Sequence, residues 1–374
     1  MVDTVGSATP ILDGAAWSEY CRTLERAGSI IIERSEREQL DRAEGLRYLS
    51  RMTRCGLERY VEFGDPLAPV LYRPVHETQK FGVDNPDSYY QMAALRGDCE
   101  YRIRGQRGTI HYLSLGTYYG DYGRPGRSGC GGLLEASQLQ IDADGCFTLH
   151  LSQQEKPGNW LRMDPETTAL IVRQNYLDRK NEEIAKLSIE LVGQPSAPPP
   201  LDPANFAGAL HSAGNFVVGT LEIFLKWAER WAKHPNELRE HDVDVKQAAH
   251  GDPNIFFYMG YWTLGDDEAL LIQADPPDCD YWNFQLCNHW LESLDYRYYR
   301  VAVNKHDAKY AQDGSFTLVI SHQDPGVGNW IDTVGHRHGG MGLRWVKAAH
   351  HPKPRTRVVS LKSLIEEGLP GRIG

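Results

Sequence analysis

The chain has 374 residues, of which 41% are hydrophobic and 24% are charged, and its formal net charge is −10. This length exceeds the size at which a single hydrophobic core usually stops growing, so two or more packed units are expected. The acidic balance argues against a general nucleic-acid binder, because phosphate contacts need a basic face.

The same sequence predicts a cytoplasmic protein without a membrane partner. No apolar run approaches the ~20 residues of a membrane span, and the N-terminus lacks the pattern of a secretory signal. Seven cysteines are scattered without a Cys-x-x-Cys pair, which favours buried thiols in a reducing compartment.

The first 75 residues are predicted to form a helical segment. Asp13 can cap a helix over 14–27, where apolar residues recur at helical spacing. A second helix is predicted over 36–63, and Gly64-Asp65-Pro66 ends it.

Short β-favouring runs broken by Gly and Asp predict a first β-rich unit over 76–195. Within it, the Gly- and Tyr-rich run 116–132 is predicted to be a long loop, either a lid or a plain surface loop. A proline-rich linker, Gln194–Pro203, and a helical connection fill 196–255. A second β-rich unit is predicted over 256–374.

The two β-rich units carry the same sequence pattern in the same order. DGCFTLHLSQQ at 144–154 matches DGSFTLVISHQ at 313–323, and Gly-Asn-Trp at 158–160 matches 328–330. KLSIEL at 186–191 corresponds to RVVSLK at 357–362, Arg173 corresponds to Arg344, and GDCEY at 97–101 is paired with PDCDY at 277–281. Each Asp-Gly predicts a turn, and the alternating run after it predicts a strand with one buried face. The fold class is therefore mainly β with helical additions (α+β): two tandem jelly-roll-like β-sandwich modules that arose by internal duplication.

The second unit resembles the DUF1214 family of bacterial proteins. The resemblance is carried by CDYWNFQL and by DGSFTLVISHQDPGVGNWIDTVGHRHGGMGLRWVKA, and it is specific over 279–361. The family motif maps onto Asn329, Trp330, Asp332, Thr333, Gly335, His336, Gly339, Arg344 and Trp345. The resemblance implies a jelly-roll-like sandwich, often found behind a DUF1254-type region, but it implies no reaction.

The repeat serves as an internal control for function. Only the second copy has the Gly-His-Arg-His-Gly run at 335–339, and a feature of one copy alone is freer to serve function. Histidine titrates near neutral pH, so His336 is predicted to be a general acid or base, with His338 beside it. Arg344 is predicted to hold an anionic group, since its planar fork suits carboxylate or phosphate. A structural role remains open for all three.

The two histidines also raise the question of a metal. A His-x-His pair on a strand points both side chains to one face, as in cupin-type metal sites. A third ligand is needed, however, and no Glu stands at the usual distance. No cofactor is therefore expected, and a divalent metal, if bound, would be held by His336, His338 and His322.

Aromatic residues crowd one stretch of the second unit. They are predicted to line a pocket for a sugar-like or flat cyclic ligand, and the alternative is sandwich core with tyrosines at its edge. The predicted substrate-binding residues are Tyr281, Trp282, His289, Trp290 and Tyr298.

These observations favour a cofactor-independent lyase, isomerase or hydrolase that acts on a small polar or cyclic molecule. The first alternative is a non-catalytic small-molecule-binding or scaffold protein, and the second is a metal-dependent enzyme that uses the His-x-His pair. A small molecule is the predicted partner, without nucleic acid or membrane, and a homo-oligomer is left open.

Overall fold

The computed structural model describes residues 10–35, 38–122, 126–193, 200–241 and 250–373. Within these ranges the helices are α1 (Ala15–Arg34), α2 (Gln39–Leu57), α3 (Pro203–Ala232) and α4 (Leu361–Glu367). None of them combines the length and the apolarity that crossing a membrane requires. A π-helical turn, Glu58–Glu62, follows α2 directly.

The first two helices differ in length from their predictions. Helix α1 continues beyond residue 27 to Arg34, because buried Ile31 extends its apolar face by one more turn. Helix α2 begins later than predicted, at Gln39, and the π-helical turn completes the predicted span. Residues 194–199 of the predicted proline-rich linker lie outside the described residues.

The first module contains eight strands in two four-stranded sheets. The sheet orders are β1-β7-β3-β4 and β6-β5-β2-β8. The strands are β1 (Ser88–Ala94), β2 (Tyr101–Gln106), β3 (Tyr112–Tyr119), β4 (Gly129–Glu135), β5 (Cys146–Ser152), β6 (Asn159–Arg162), β7 (Thr167–Asn175) and β8 (Lys186–Leu191).

The second module repeats this arrangement after a short strand, β9 (Glu237–Glu240). Its sheet orders are β10-β16-β12-β13 and β15-β14-β11-β17. The strands are β10 (Ile255–Thr263), β11 (Glu268–Ala274), β12 (Tyr281–Leu286), β13 (Ala302–Asn304), β14 (Phe316–Ser321), β15 (Asn329–Asp332), β16 (His338–Val346) and β17 (Arg355–Ser360).

Each strand of the first module has a counterpart in the second, in the same place in its sheet. Each module has one parallel ladder, β5–β6 in the first and β14–β15 in the second, and its other ladders are antiparallel. Gly145 and Gly314 have nearly the same positive φ, 84° and 82°, in the turns that precede β5 and β14, respectively. The structure thus confirms two tandem β-sandwich modules with helical additions.

One predicted correspondence is wrong. GDCEY and PDCDY were aligned at their tyrosines, but Tyr101 begins β2 and Tyr281 begins β12. Tyr112, opposite Asn175, is the true counterpart of Tyr281, opposite Val346. A match of five residues does not show which strands pair with each other, and strand pairing decides the register. The predicted 116–132 loop is also too long, because β3 runs to Tyr119 and β4 starts at Gly129.

Each module encloses its own hydrophobic core between its two sheets. Strand β16 is nevertheless buried along its entire length. Met341, Leu343 and Trp345 point into the sandwich core, so the alternate residues point to the outer face of the sheet. Helices α1, α2 and α3 pack over this outer face, where they contact Met259 and Tyr261 of β10.

Candidate functional site

A cavity of about 160 Å³ lies where outer faces of the two modules meet the helices; we call it the central cavity. Strands β1 and β7 form one side, β10 and β16 form another, and α3 contributes Phe224 and Trp227. Most of the wall is apolar. Its arginine, aspartate and histidine side chains are those of Arg59, Asp84, Arg173, His241, His250, Asp252 and Arg344.

Arg344 reaches the central cavity from the outer face of β16. It is 4% exposed, and its Nη1 donates to Gln285 Oε1 at 2.6 Å and to Asn283 Oδ1 at 3.3 Å. Its Nη2 donates to the carbonyl of Val83. These bonds orient the guanidinium and use three of its five N–H groups.

Arg173 occupies the equivalent position on β7. In the first module it lies opposite Ser114, as Arg344 lies opposite Asn283 in the second. Its Nη1 donates to Tyr118 Oη at 2.7 Å, and its Nη2 donates to the carbonyl of His250. The two repeats therefore present matching arginines to one shared cavity.

The other charged groups of the wall are held by the surrounding structure. Arg59 is paired with Asp121 at 3.1 Å. Asp252 accepts hydrogen bonds from Tyr112 Oη at 3.0 Å and Ser114 Oγ at 2.9 Å. Asp84 accepts from the backbone N–H and the hydroxyl of Ser293, and burial raises the pKa of this carboxyl.

His250 contributes no positive charge to the cavity near neutral pH. Burial, together with the charge of Arg59, lowers the pKa of His250 to about 4. Its Nε2 lies 2.9 Å from Ser128 Oγ and 3.2 Å from the carbonyl of Tyr119. His250 is therefore uncharged at pH 7, whereas the arginines of this wall carry positive charge.

His336 lies elsewhere, in the loop before β16, and both of its ring nitrogens are engaged. Nδ1 is 2.9 Å from the carbonyl of Thr333, and Nε2 is 2.9 Å from Glu44 Oε2 on α2. Burial lowers the pKa of His336, but the hydrogen bond and charge of Glu44 outweigh it, so the pKa is raised above its usual value. Its ring lines a separate charged cleft with Arg51 and Lys80.

His338 belongs to a second hydrogen-bonded network, which meets α2 at Asp41, one turn before Glu44. Its Nε2 is 2.9 Å from Asp41 Oδ2 and 3.7 Å from Glu38 Oε2. Its Nδ1 is 2.6 Å from Tyr261 Oη, which is also 2.7 Å from His289 Nδ1. Asp41 and Glu44 lie three residues apart on one helix face, so each of the two histidines meets its own carboxylate.

The structure does not bring the three predicted catalytic residues into one pocket. His338 and Arg344 share the outer face of β16 but are six residues apart, about 20 Å along the strand. His336 borders the charged cleft and Arg344 borders the central cavity. The three side chains therefore do not share a pocket, because the length of the strand separates side chains that are close in sequence.

The predicted metal ligand set is also not assembled. His336 and His338 turn their Nε2 atoms to different carboxylates, and His322 Nδ1 lies 2.8 Å from Thr333 Oγ1. Among the described residues, the groups close enough to share an ion are instead Glu38, Asp41 and His338, whose donor atoms lie within 4.8 Å of one another.

None of the five predicted substrate-binding residues lines the central cavity. Trp282 is stacked on Phe316 in the sandwich core, at 4.2 Å between ring centroids. Tyr281 is fully buried and donates to Asp87 Oδ2 at 2.7 Å. Trp290 donates to the backbone carbonyl of Asp41, His289 belongs to the Tyr261 network, and Tyr298 is 76% exposed. Most of the aromatic residues that are predicted from the sequence to line a pocket are thus buried by packing instead.

Several residues of these sites were missed in the sequence. Arg59, Asp84, His250 and Asp252 come from loops and helix ends without a motif of their own. Asp41 and Glu44 could have been noticed as acidic residues one turn apart on a predicted helix. Their partners stand 292 residues away in the case of Glu44, so only the fold could pair them.

Comparisons with known proteins agree with this architecture. The family model described as "Protein of unknown function (DUF1214)" matches residues 87–176 and 266–349, once in each module. No curated protein matches the chain. An uncharacterized protein from Burkholderia cenocepacia, known from its crystal structure, is 47% identical with a TM-score of 0.93, over 96% of this chain and 100% of that one.

A second solved structure, the VPA0106 protein from Vibrio parahaemolyticus, is 12% identical with a TM-score of 0.48, over 91% of this chain and 99% of that one. The family assignment depends on the duplicated family match and on the similarity to the Burkholderia protein along nearly the full length. The chain belongs to the DUF1214 family and carries that family's domain twice.

Proposed function

We propose that this protein binds a small organic anion in the central cavity. The observation that carries the proposal is that Arg173 and Arg344, equivalent residues of the two repeats, line the same cavity. Within the described part of the chain, neither guanidinium has a carboxylate at ion-pair distance; their bonds go to hydroxyl, amide and carbonyl oxygens. Asp84 and Asp252 lie in the same wall, but they accept hydrogen bonds from Ser293, Tyr112 and Ser114 instead. The N–H groups that the two arginines have left therefore favour an anionic ligand.

The shape and lining of the cavity indicate the rest of the ligand. The apolar wall, which includes Phe224, Trp227 and Phe257, suits a flat hydrocarbon or aromatic body. A volume of about 160 Å³ admits a compact molecule rather than a polymer. An aromatic or aliphatic monocarboxylate has both properties.

Benzoate is a suitable probe, with benzamide as its neutral counterpart of the same shape. We expect calorimetry on the full chain to detect benzoate binding, and benzamide to bind at least about tenfold more weakly, a difference of about 1.4 kcal/mol. The difference should arise because only the carboxylate gains charge-assisted hydrogen bonds from the two arginines.

Variants at the two arginines test the assignment directly. Arg344→Gln and Arg173→Gln should each weaken benzoate binding by at least about tenfold, with folding checked by circular dichroism. Arg337→Gln is the matched control, because this exposed arginine contacts Asp266 at the surface. Equal binding of benzoate and benzamide, or unchanged affinity in both cavity variants, would contradict the proposal.

The acid–base role of His336 stays a prediction. Because both of its nitrogens have partners, a proton transfer would require the Glu44 contact to open. Any such reaction would take place in the charged cleft rather than beside Arg344. This geometry gives more support to ligand binding in the central cavity than to catalysis by His336.

A further inference from the structure

Two carboxylates and one imidazole converge where the start of α2 meets the start of β16. Glu38 directly precedes α2 and Asp41 lies in its first turn, while His338 is the first residue of β16. His338 Nε2 is 2.9 Å from Asp41 Oδ2 and 3.7 Å from Glu38 Oε2. A tetrahedral ion about 2.1 Å from each donor would hold them about 3.4 Å apart. The two separations from His338 lie on either side of this value, and all three donor atoms lie within 4.8 Å of one another.

Among the residues that the structure describes, no arginine or lysine is paired with these two carboxylates. Glu44, one turn further along α2, has both Arg47 and His336 as partners. Asp41 is 3% exposed, and in the described ranges neither Asp41 nor Glu38 forms an ion pair with Lys or Arg. Buried carboxylates are normally paired with a cation or bound to a metal.

A hydrogen-bonded chain behind His338 can hold its ring in the orientation that a metal needs. Tyr261 Oη lies between His338 Nδ1 and His289 Nδ1, at 2.6 and 2.7 Å. When Tyr261 donates its single hydrogen to His289, His338 Nδ1–H donates to Tyr261, and the Nε2 lone pair faces the carboxylates. Metal-binding histidines are typically fixed by such a second hydrogen bond.

We propose that Glu38, Asp41 and His338 bind a divalent transition-metal ion of the Zn²⁺ class. One imidazole and two carboxylates form a mixed nitrogen and oxygen donor set, which suits this class better than it suits Ca²⁺. The side chain of Glu38 is 43% exposed, so solvent reaches the ion and supplies its remaining ligand. The ion fastens α2 to the second module, and it lies about 20 Å along β16 from Arg344.

The test uses the untagged full chain after EDTA treatment and dialysis. Titration with Co²⁺ should give visible absorption bands that saturate at one equivalent, Zn²⁺ should displace the Co²⁺, and Zn²⁺ should raise the thermal unfolding midpoint. Glu38→Gln should weaken Co²⁺ binding by at least about tenfold. Its fold should survive, because this side chain is partly exposed and precedes the helix.

Glu33→Gln, an exposed glutamate of α1, is the matched control and should bind Co²⁺ like the parent chain. The competing arrangement has His338 Nε2–H donating to Asp41, which needs no ion. The proposal is overturned if the folded parent chain shows no saturable Co²⁺ or Zn²⁺ binding. It is equally overturned if Glu38→Gln binds as tightly as the parent, since the ion would then lie on other histidines.

Discussion

His336 is held on both sides of its ring, by a backbone carbonyl and by a carboxylate from a distant helix. Glu44 and His336 are 8% and 6% exposed in their side chains, so their contact is screened little by solvent. Because the raised pKa of His336 means that folding favours the protonated ring, the contact stabilises the fold most when the ring is charged.

The free energy of unfolding should reflect this at the residue scale. Below the unfolded-state pKa of about 6.5 the stabilisation by His336 is fully present, and it is lost as pH rises through the raised folded-state pKa. His336→Gln should therefore cost more stability at pH 6 than at pH 9, measured by urea unfolding. His306→Gln, at an exposed histidine, is the control. An equal loss of unfolding free energy at pH 6 and at pH 9 would show that the charge of the His336 ring does not contribute to stability.

Helix α2 packs closely on the second module at one glycine. A Cβ on Gly45 would lie 2.5 Å from Trp290 Cζ2 and 2.6 Å from Ile31 Cγ2, which is closer than two non-bonded carbon atoms approach each other. This contact sets the distance between α2, α1 and the loop that carries Trp290. The same close approach brings Asp41 and Glu44 to the histidines of β16.

At the scale of the element, Gly45→Ala should destabilise the protein by about 1–3 kcal/mol through overpacking, despite the better helix propensity of alanine. Gly208→Ala in α3 should instead be neutral or stabilise by up to about 1 kcal/mol, because no atom lies within 4 Å of the added methyl group. Thermal unfolding of both variants checks this. A stabilised Gly45→Ala would mean that α2 packs less tightly than the structure has it.

Across the whole molecule, the helices act as the third layer of the second module. Their shared cluster contains Tyr48 and Met52 of α2, Phe216 of α3, and Trp290 and Leu291 after β12. The second sandwich therefore buries both faces of its β10-β16-β12-β13 sheet, one with its own core and one with the helices.

Removing residues 1–62 should consequently expose the apolar outer face of that sheet. We expect the shortened chain to bind the dye ANS and to aggregate, because a large exposed apolar patch promotes association. A chain that lacks only residues 1–9 is the control and should behave as the full protein. A monomeric, dye-free chain without residues 1–62 would show that the second module is stable without this layer.

The amino-acid sequence by itself determined the doubled architecture. Asp-Gly turns, alternating strands and the Gly-Asn-Trp repeats are local patterns, and local patterns report turns and buried faces directly. They also placed Arg173 and Arg344 at matching positions. An anion-binding role is predicted from the sequence for Arg344 alone, because the sequence does not show that two repeats turn their equivalent faces toward one cavity.

The tertiary structure alone decided which side chains meet. Glu44 and His336 are 292 residues apart, and the aromatic crowding at 281–299 divides between core, helix contact and surface. The length of β16 separates His338 from Arg344, so the two side chains lie in different surroundings. The packing of helices and modules that are distant in sequence decides which side chains become partners, and the residue spacing within one segment does not predict that packing.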